Sequence, residues 1–299
     1  MSKHSSPKPS LLALPNEIQT RILTHFIPSC IKSIRVRSRN LQFLHYITVV
    51  KPELARHVKS IIFGVFSTHE SNQWLGHDRT GPDDDEKPGY RNLIESVFTP
   101  RESDDWETWR QDWLIDLEGG CEDAEVALLL VVCKELQQLC SGEPYRPRTF
   151  LRLLDAAFKR GVESPRYLPL CSLAEIYHES EESKYGYLGY AEPASLFFQL
   201  PNARSYECVL PNGSNDQAEP FTAIPRRLSS VQDIYLRRSS ITANVVHATV
   251  GACKALRTFE YTMHPTHMYD DEMMPRDMLE AILPHQETFE YLHVDFIDN

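Results

Sequence analysis

The sequence predicts an α/β chain in which a short helical unit precedes an irregular array of helix–strand pairs. Three observations lead there. From Ala124 onward, segments of helical period alternate with short strand-like pieces at intervals of roughly 25–40 residues, the sign of a repeat architecture. The strand pieces share the spacing apolar-x-x-apolar-x-apolar: Val58/Ile61/Phe63, Leu173/Ile176, Val231/Ile234/Leu236, Leu256/Phe259/Tyr261 and Phe289/Leu292/Val294. One longer echo, Cys133-Lys134-Glu135-Leu136-Gln137-Gln138-Leu139 against Cys253-Lys254-Ala255-Leu256-Arg257-Thr258-Phe259, follows an apolar helix in both places. In a chain that is 41% hydrophobic, three specified apolar positions match by chance about 7% of the time. The spacing therefore counts only because each match directly follows a helical segment. The reading is a degenerate repeat solenoid, with an irregular α/β domain as the alternative.

The elements follow in order. Residues 1–10, MSKHSSPKPS, are expected to be a disordered lead-in. A helix then begins with Pro15 at its first position, where the missing N–H costs nothing. Leu14, Ile18, Ile22 and Phe26 recur at spacings of four with Leu23 beside them, and Pro28 ends the helix. A second helical stretch is predicted with Ile31, Ile34, Leu41 and Leu44 inward and Lys32, Arg35, Arg37 and Arg39 interleaved. Together these make a helical unit over 11–50, too small for an independent core. Residues 51–299 form the array. "PELARHVKSIIFGVF" reads as a helical turn entering a buried strand, Val58 to Phe66, and 67–92 reads as a long polar loop. Trp106, Trp109 and Trp113 lie at helical spacing, which suits the buried face of one helix more than an exposed partner anchor. "DAEVALLLVV" is a buried helix whose acidic first turn suits the helix dipole. The remaining pairs run from "TFLRLLDAAFKRG", closed by Gly161, to "PRDMLEAIL" followed by "ETFEYLHVDF".

Composition narrows the function. A net charge of -11 argues against a nucleic-acid binder, which would show a basic face. Seven scattered cysteines (30, 121, 133, 140, 171, 208 and 253), with no Cys-x-x-Cys pair, suit reduced thiols in the cytoplasm or nucleus. The first ten residues lack the apolar stretch of a secretory signal, and the longest apolar run, Val126 to Cys133, is far shorter than a membrane span. A soluble intracellular protein without a membrane partner is the expectation.

Chemistry leaves little trace. No phosphate-binding glycine loop, Gly-x-Ser-x-Gly elbow or His-Glu-x-x-His occurs, and no zinc lattice or activated cysteine is spaced for catalysis. We therefore expect no catalytic residues, cofactor or metal. The one cluster with metal-ligating potential is His264, His267, Asp270, Asp271 and Glu272. Its place between a strand and a helix fits a loop, and its acids suit the helix start at Pro275. "HESEESKYGYLGY", from His178, reads as an acidic surface loop.

With these elements placed, "LLALPNEIQTRILTHF" (11–26) followed by "IKSIRVRSRNLQFL" (31–44) resembles an F-box: Leu-Pro, an acidic residue, an Ile-x-x-x-Ile-Leu face, then a basic-apolar segment ending in Ser38-Arg39. The match covers about forty residues. "PSCIK" stands where Pro-x-Asp-Leu is usual, Arg37 where a smaller or apolar residue is common, and the frequent terminal Trp is missing. Downstream, "LSSVQDIYLRRSSITANVVHATVGACKALRTFEY" and "MLEAILPHQETFEYLHVDF" look like the degenerate leucine-rich repeats that follow the F-box in many such proteins. The resemblance implies a substrate-recruiting adaptor of a Skp-cullin-F-box ubiquitin ligase. Its F-box would dock on a Skp-family adaptor through Leu14, Pro15, Ile18, Ile22, Leu23, Ile34 and Val36, and the repeats would bind a target protein. The alternatives are a non-catalytic repeat scaffold whose F-box-like helices cap the array, and a hydrolase using the His264–Glu272 cluster.

Overall fold

A computed structural model of the chain describes residues 33–36, 44, 46–64, 82, 84, 86–97, 105–142, 149–161, 170–179, 191–213, 218–222, 224–264 and 273–296. Among these, nine strands form one sheet: β1 (Ser33–Val36), β2 (Ser60–Phe63), β3 (Gln138–Gly142), β4 (Glu175–Glu179), β5 (Ser205–Val209), β6 (Asn212–Gly213), β7 (Asp233–Ile241), β8 (Thr258–Met263) and β9 (Tyr291–Asp295). All pairings are parallel and follow chain order, β1 to β9, with the short β6 beside β7 off the main path. Parallel neighbours need a crossover long enough to carry the chain back, and helices supply it here. Helical turns over Tyr46–Val50 and Pro52–His57 join β1 to β2. Three helices, α1 (Lys87–Val97), α2 (Asp105–Glu118) and α3 (Glu122–Val132), lead to β3. Then α4 (Thr149–Gly161), α5 (Ala191–Phe198), α6 (Glu219–Thr222), α7 (Ala243–Ala252) and α8 (Pro275–Ile282) alternate with the later strands, and each helix packs on the next.

The strands repeat one junction. The residue before a strand and the strand's first residue both donate their amides to a single carbonyl of the preceding unit. Gln137 and Gln138 bond Lys59 O at 2.8 and 3.0 Å; Ala174 and Glu175 bond Gln137 O; Arg204 and Ser205 bond Ala174 O. The pattern continues through Arg204 O, Gln232 O and Arg257 O to Glu290 and Tyr291. From Gln137 onward the equivalent residue recurs about 25 to 37 positions apart, whereas the α1–α3 region widens the first interval to roughly 80.

Apolar spacing explains the packing. Counted from each junction residue, the preceding position and the second and fourth following ones point to the helices. The first set runs Val58, Leu136, Leu173, Ala203, Val231 and Leu256, and the second Ile61, Leu139, Ile176, Tyr206, Ile234 and Phe259, all buried. The third runs Phe63, Ser141, His178, Cys208, Leu236 and Tyr261, also buried. The Cys133/Cys253 echo falls at equivalent places, both thiols being buried just after a helix. At the far edge β9 has no following strand among the described residues, and its Leu292 is 46% exposed.

Several helix contacts differ from expectation. Of the expected tryptophan face, Trp113 is buried and donates to Ala124 O at 3.0 Å, and Trp109 stacks on it at 5.7 Å between ring centroids; the Trp106 side chain lies outside those described. Asp123 lies in the acidic first turn of α3, as expected, and also accepts from the Thr149 and Phe150 amides at 2.7 and 3.1 Å. It thereby caps the start of the next helix, α4. The loop expected over 67–92 ends earlier: α1 begins at Lys87 and buries Tyr90 and Ile94. The second helical stretch is also corrected, since Ser33–Val36 forms a strand paired with β2, Ile34 opposite Ile61 and Val36 opposite Phe63. Parallel pairing satisfies this segment's backbone, which a free helix of that length could not do as well.

Candidate interaction surface

Parallel sheets are ordinarily covered on both faces. Here burial alternates along β2 to β8, apart from buried Asp233 at the start of β7, so among the described residues the face toward the helices is sealed and the other is half-buried or exposed. The other face is built from the unspecified positions of the apolar pattern. In register across strands, one row reads Ile62, Cys140, Tyr177, Glu207, Tyr235 and Glu260. The row one step nearer the junctions reads Ser60, Gln138, Glu175, Ser205, Asp233 and Thr258. Neighbouring strands lie about 4.8 Å apart, so side chains along a row touch.

From β4 to β8 this face is acidic, and its described arginines, Arg237 and Arg257, are ion-paired. The Arg237 guanidinium stands 3.1 Å from both Glu207 and Glu260, and it lies 6.0 Å over the Tyr235 ring. Arg257 binds Asp233 through two donors at 3.0 and 2.7 Å. Among the described residues Glu175 accepts from the Gln138 amide, at 2.7 Å, and no cation pairs with Glu179. Partial burial raises the Tyr177 phenol above its ordinary pKa, and Glu179 and Glu207 raise it further. Tyr235 is raised by burial and then by Asp233 and Glu260. Such a surface can receive cations and flat polar groups.

Leu14, Pro15, Ile18, Ile22 and Leu23 lie outside the described residues, while Ile34 and Val36 stand in β1 at the opposite edge of the sheet from β9. Of the His264–Glu272 cluster only His264 is described. It is buried, with the Arg238 guanidinium 3.5 Å from its Nε2. Among the described residues no group of His, Cys, Asp and Glu is placed to hold a metal. His178, where the strand piece "LCSLAEIYH" (170–178) meets the expected acidic loop, is a buried strand residue of β4 with its Nδ1 3.3 Å from the Tyr206 hydroxyl; the strand runs on to Glu179. The Tyr177–Glu260 row was not singled out in the sequence, because its members occupy the positions the apolar pattern leaves free. Among the described residues no helix is long and apolar enough to cross a membrane. Searches against protein-family models, curated proteins and solved structures give no match to this chain.

Proposed function

We propose that the chain is a non-catalytic, substrate-recruiting adaptor of a Skp-cullin-F-box type ubiquitin ligase. In this reading the helix–strand units form a degenerate leucine-rich-repeat-like solenoid. The observation that carries it is the parallel sheet laid down in chain order, with one face left open among the described residues. Stacked units of this kind cannot bury their apolar faces alone, and they present a long continuous surface suited to a partner protein. The ubiquitin-ligase link rests on the F-box-like "LLALPNEIQTRILTHF", whose anchors repeat on one face as helix-in-groove docking requires. The test is capture of a purified Skp-family adaptor by the full chain. Capture that is lost with Leu14→Ala plus Pro15→Ala supports the reading, and no capture by the intact chain overturns it.

A second reading has an observation of its own. β1 lies within the proposed F-box segment yet continues the sheet, which favours a scaffold whose N-terminal segment closes the array without any ubiquitin-ligase role. That reading expects no Skp capture, together with aggregation once residues 1–46 are removed, because β2 becomes an open edge over exposed core. A truncated chain that stays monomeric and folded would exclude it.

A further inference from the structure

We propose that the open sheet face receives an arginine-bearing basic segment of a partner protein, centred on Tyr177 and the carboxylates of Glu175, Glu179 and Glu207. The proposal deepens the reading of this face as the target-binding side and depends on that reading.

The chain itself shows how this surface holds a guanidinium. Arg237 is received by a carboxylate on each neighbouring strand, Glu207 on β5 and Glu260 on β8, with the Tyr235 ring beneath it. Two strands away the same parts recur. Tyr177 occupies the same row as Tyr235, and Glu207 is its in-register neighbour. The position two residues after Tyr235 is Arg237; the position two residues after Tyr177 is Glu179. The β4 site thus has the ring and the carboxylates, but where β7 supplies its own cation β4 supplies another acid. Among the described residues neither Glu175 nor Glu179 is ion-paired, and Glu207 is matched from the β7 side by Arg237.

Charge decides the occupant. Three carboxylates around one ring repel one another and any anionic partner, which excludes a nucleic-acid backbone and an acidic membrane surface. A guanidinium gains from each carboxylate and from the ring face, and its planar fork suits paired carboxylates better than an ammonium does. Strand spacing near 4.8 Å gives a basic segment crossing from β4 to β8 a path of about 15 Å, long enough for several residues.

The test is binding of a fluorescent octa-arginine peptide to the full chain by anisotropy at low ionic strength. Octa-lysine and octa-glutamate serve as comparisons. The expectation is binding in the order arginine, lysine, with none for glutamate. Glu175→Gln with Glu179→Gln should weaken octa-arginine about ten-fold or more, and Tyr177→Ala, which leaves charge unchanged, at least about three-fold. Glu192→Gln with Glu287→Gln removes the same charge away from this face and should change affinity less than two-fold. Equal losses in the two double variants would mean attraction to net charge alone and would overturn the proposal, as would Tyr177→Ala without effect. Melting curves of each variant verify that it is folded. Skp capture by the same variants separates the two claims. Peptide binding without capture sinks the ubiquitin-ligase link only, and capture without peptide binding sinks this proposal only.

Discussion

Acidification should destabilise the fold through one imidazole. His178 is buried in the third inward row of the sheet, and burial lowers its pKa from 6.5 to about 4. Its neutral ring shares a hydrogen bond with the Tyr206 hydroxyl. Above pH 6.5 neither the folded nor the unfolded chain protonates this ring, so it contributes its full share of stability there. Between 6.5 and about 4 the unfolded chain binds a proton that the folded chain refuses, and stability falls with pH at up to about 1.4 kcal/mol per unit. At pH 5 the unfolded ring is almost wholly charged and the folded ring about one-tenth charged, so the loss relative to pH 7.5 is about 2 kcal/mol. Urea unfolding of the wild type and of His178→Gln at pH 7.5 and 5 reads this directly. Carboxylates titrate alike in both proteins and cancel in the comparison, as does His285, whose pKa burial also lowers. The wild type should lose about 2 kcal/mol more than the variant over that interval. A difference below about 0.5 kcal/mol would refute the assignment of His178 as a buried neutral group.

Two further outcomes follow from the helix layer and the thiols. Asp123→Ala leaves the Thr149 and Phe150 amides without their buried acceptor and should cost about 2–3 kcal/mol in chemical denaturation, with Asp123→Asn costing less. An unchanged midpoint for the alanine variant would remove Asp123 as the cap of α4. Burial pushes the Cys121 and Cys133 thiols up to about 12, Asp123 adding to the effect at Cys121. At pH 8 a maleimide should therefore modify half-exposed Cys140 and Cys171 first and reach Cys121 and Cys133 only after unfolding. Mass spectrometry of peptides decides it, and early labelling of Cys133 would contradict its placement.

Most of the array was legible because its strands carry apolar side chains at three fixed places, and the sites at Val58, Leu173, Val231 and Leu256 all proved to be junction-preceding core positions. Two strands escaped the pattern because small or polar residues fill their slots, Ser141 in β3 and both Ala203 and Cys208 at β5. The end of β4 was blurred for a related reason: His178, a polar residue in an inward slot followed by acids, resembles the start of a loop. At β1, Ile31 and Ile34 fit a helical period while Ile34 and Val36 fit a strand, and pairing with β2 settled it for the strand. Pro88 and Gly89 hid the first turn of α1, whose fold-determining contacts are those of Tyr90 and Ile94. The open-face row could not be read at all. Tyr177, Glu207, Tyr235 and Glu260 are separated by whole helices along the chain and become neighbours only through sheet register.

The shared junction carbonyl bears on how such a chain can change over generations. Lys59, Gln137, Ala174, Arg204, Gln232 and Arg257 supply that carbonyl in turn, so its side chain is a charge, an amide or a single methyl without altering the contact. The contact is made by peptide groups alone, which every residue but proline possesses and other substitutions leave in place. Pitch is thus inherited from the backbone, while identity at the junction drifts freely. Each unit can also lengthen outward, as the stretch between β2 and β3 has, without losing alignment with its neighbour. A stack assembled this way keeps its geometry long after its repeats have stopped resembling one another.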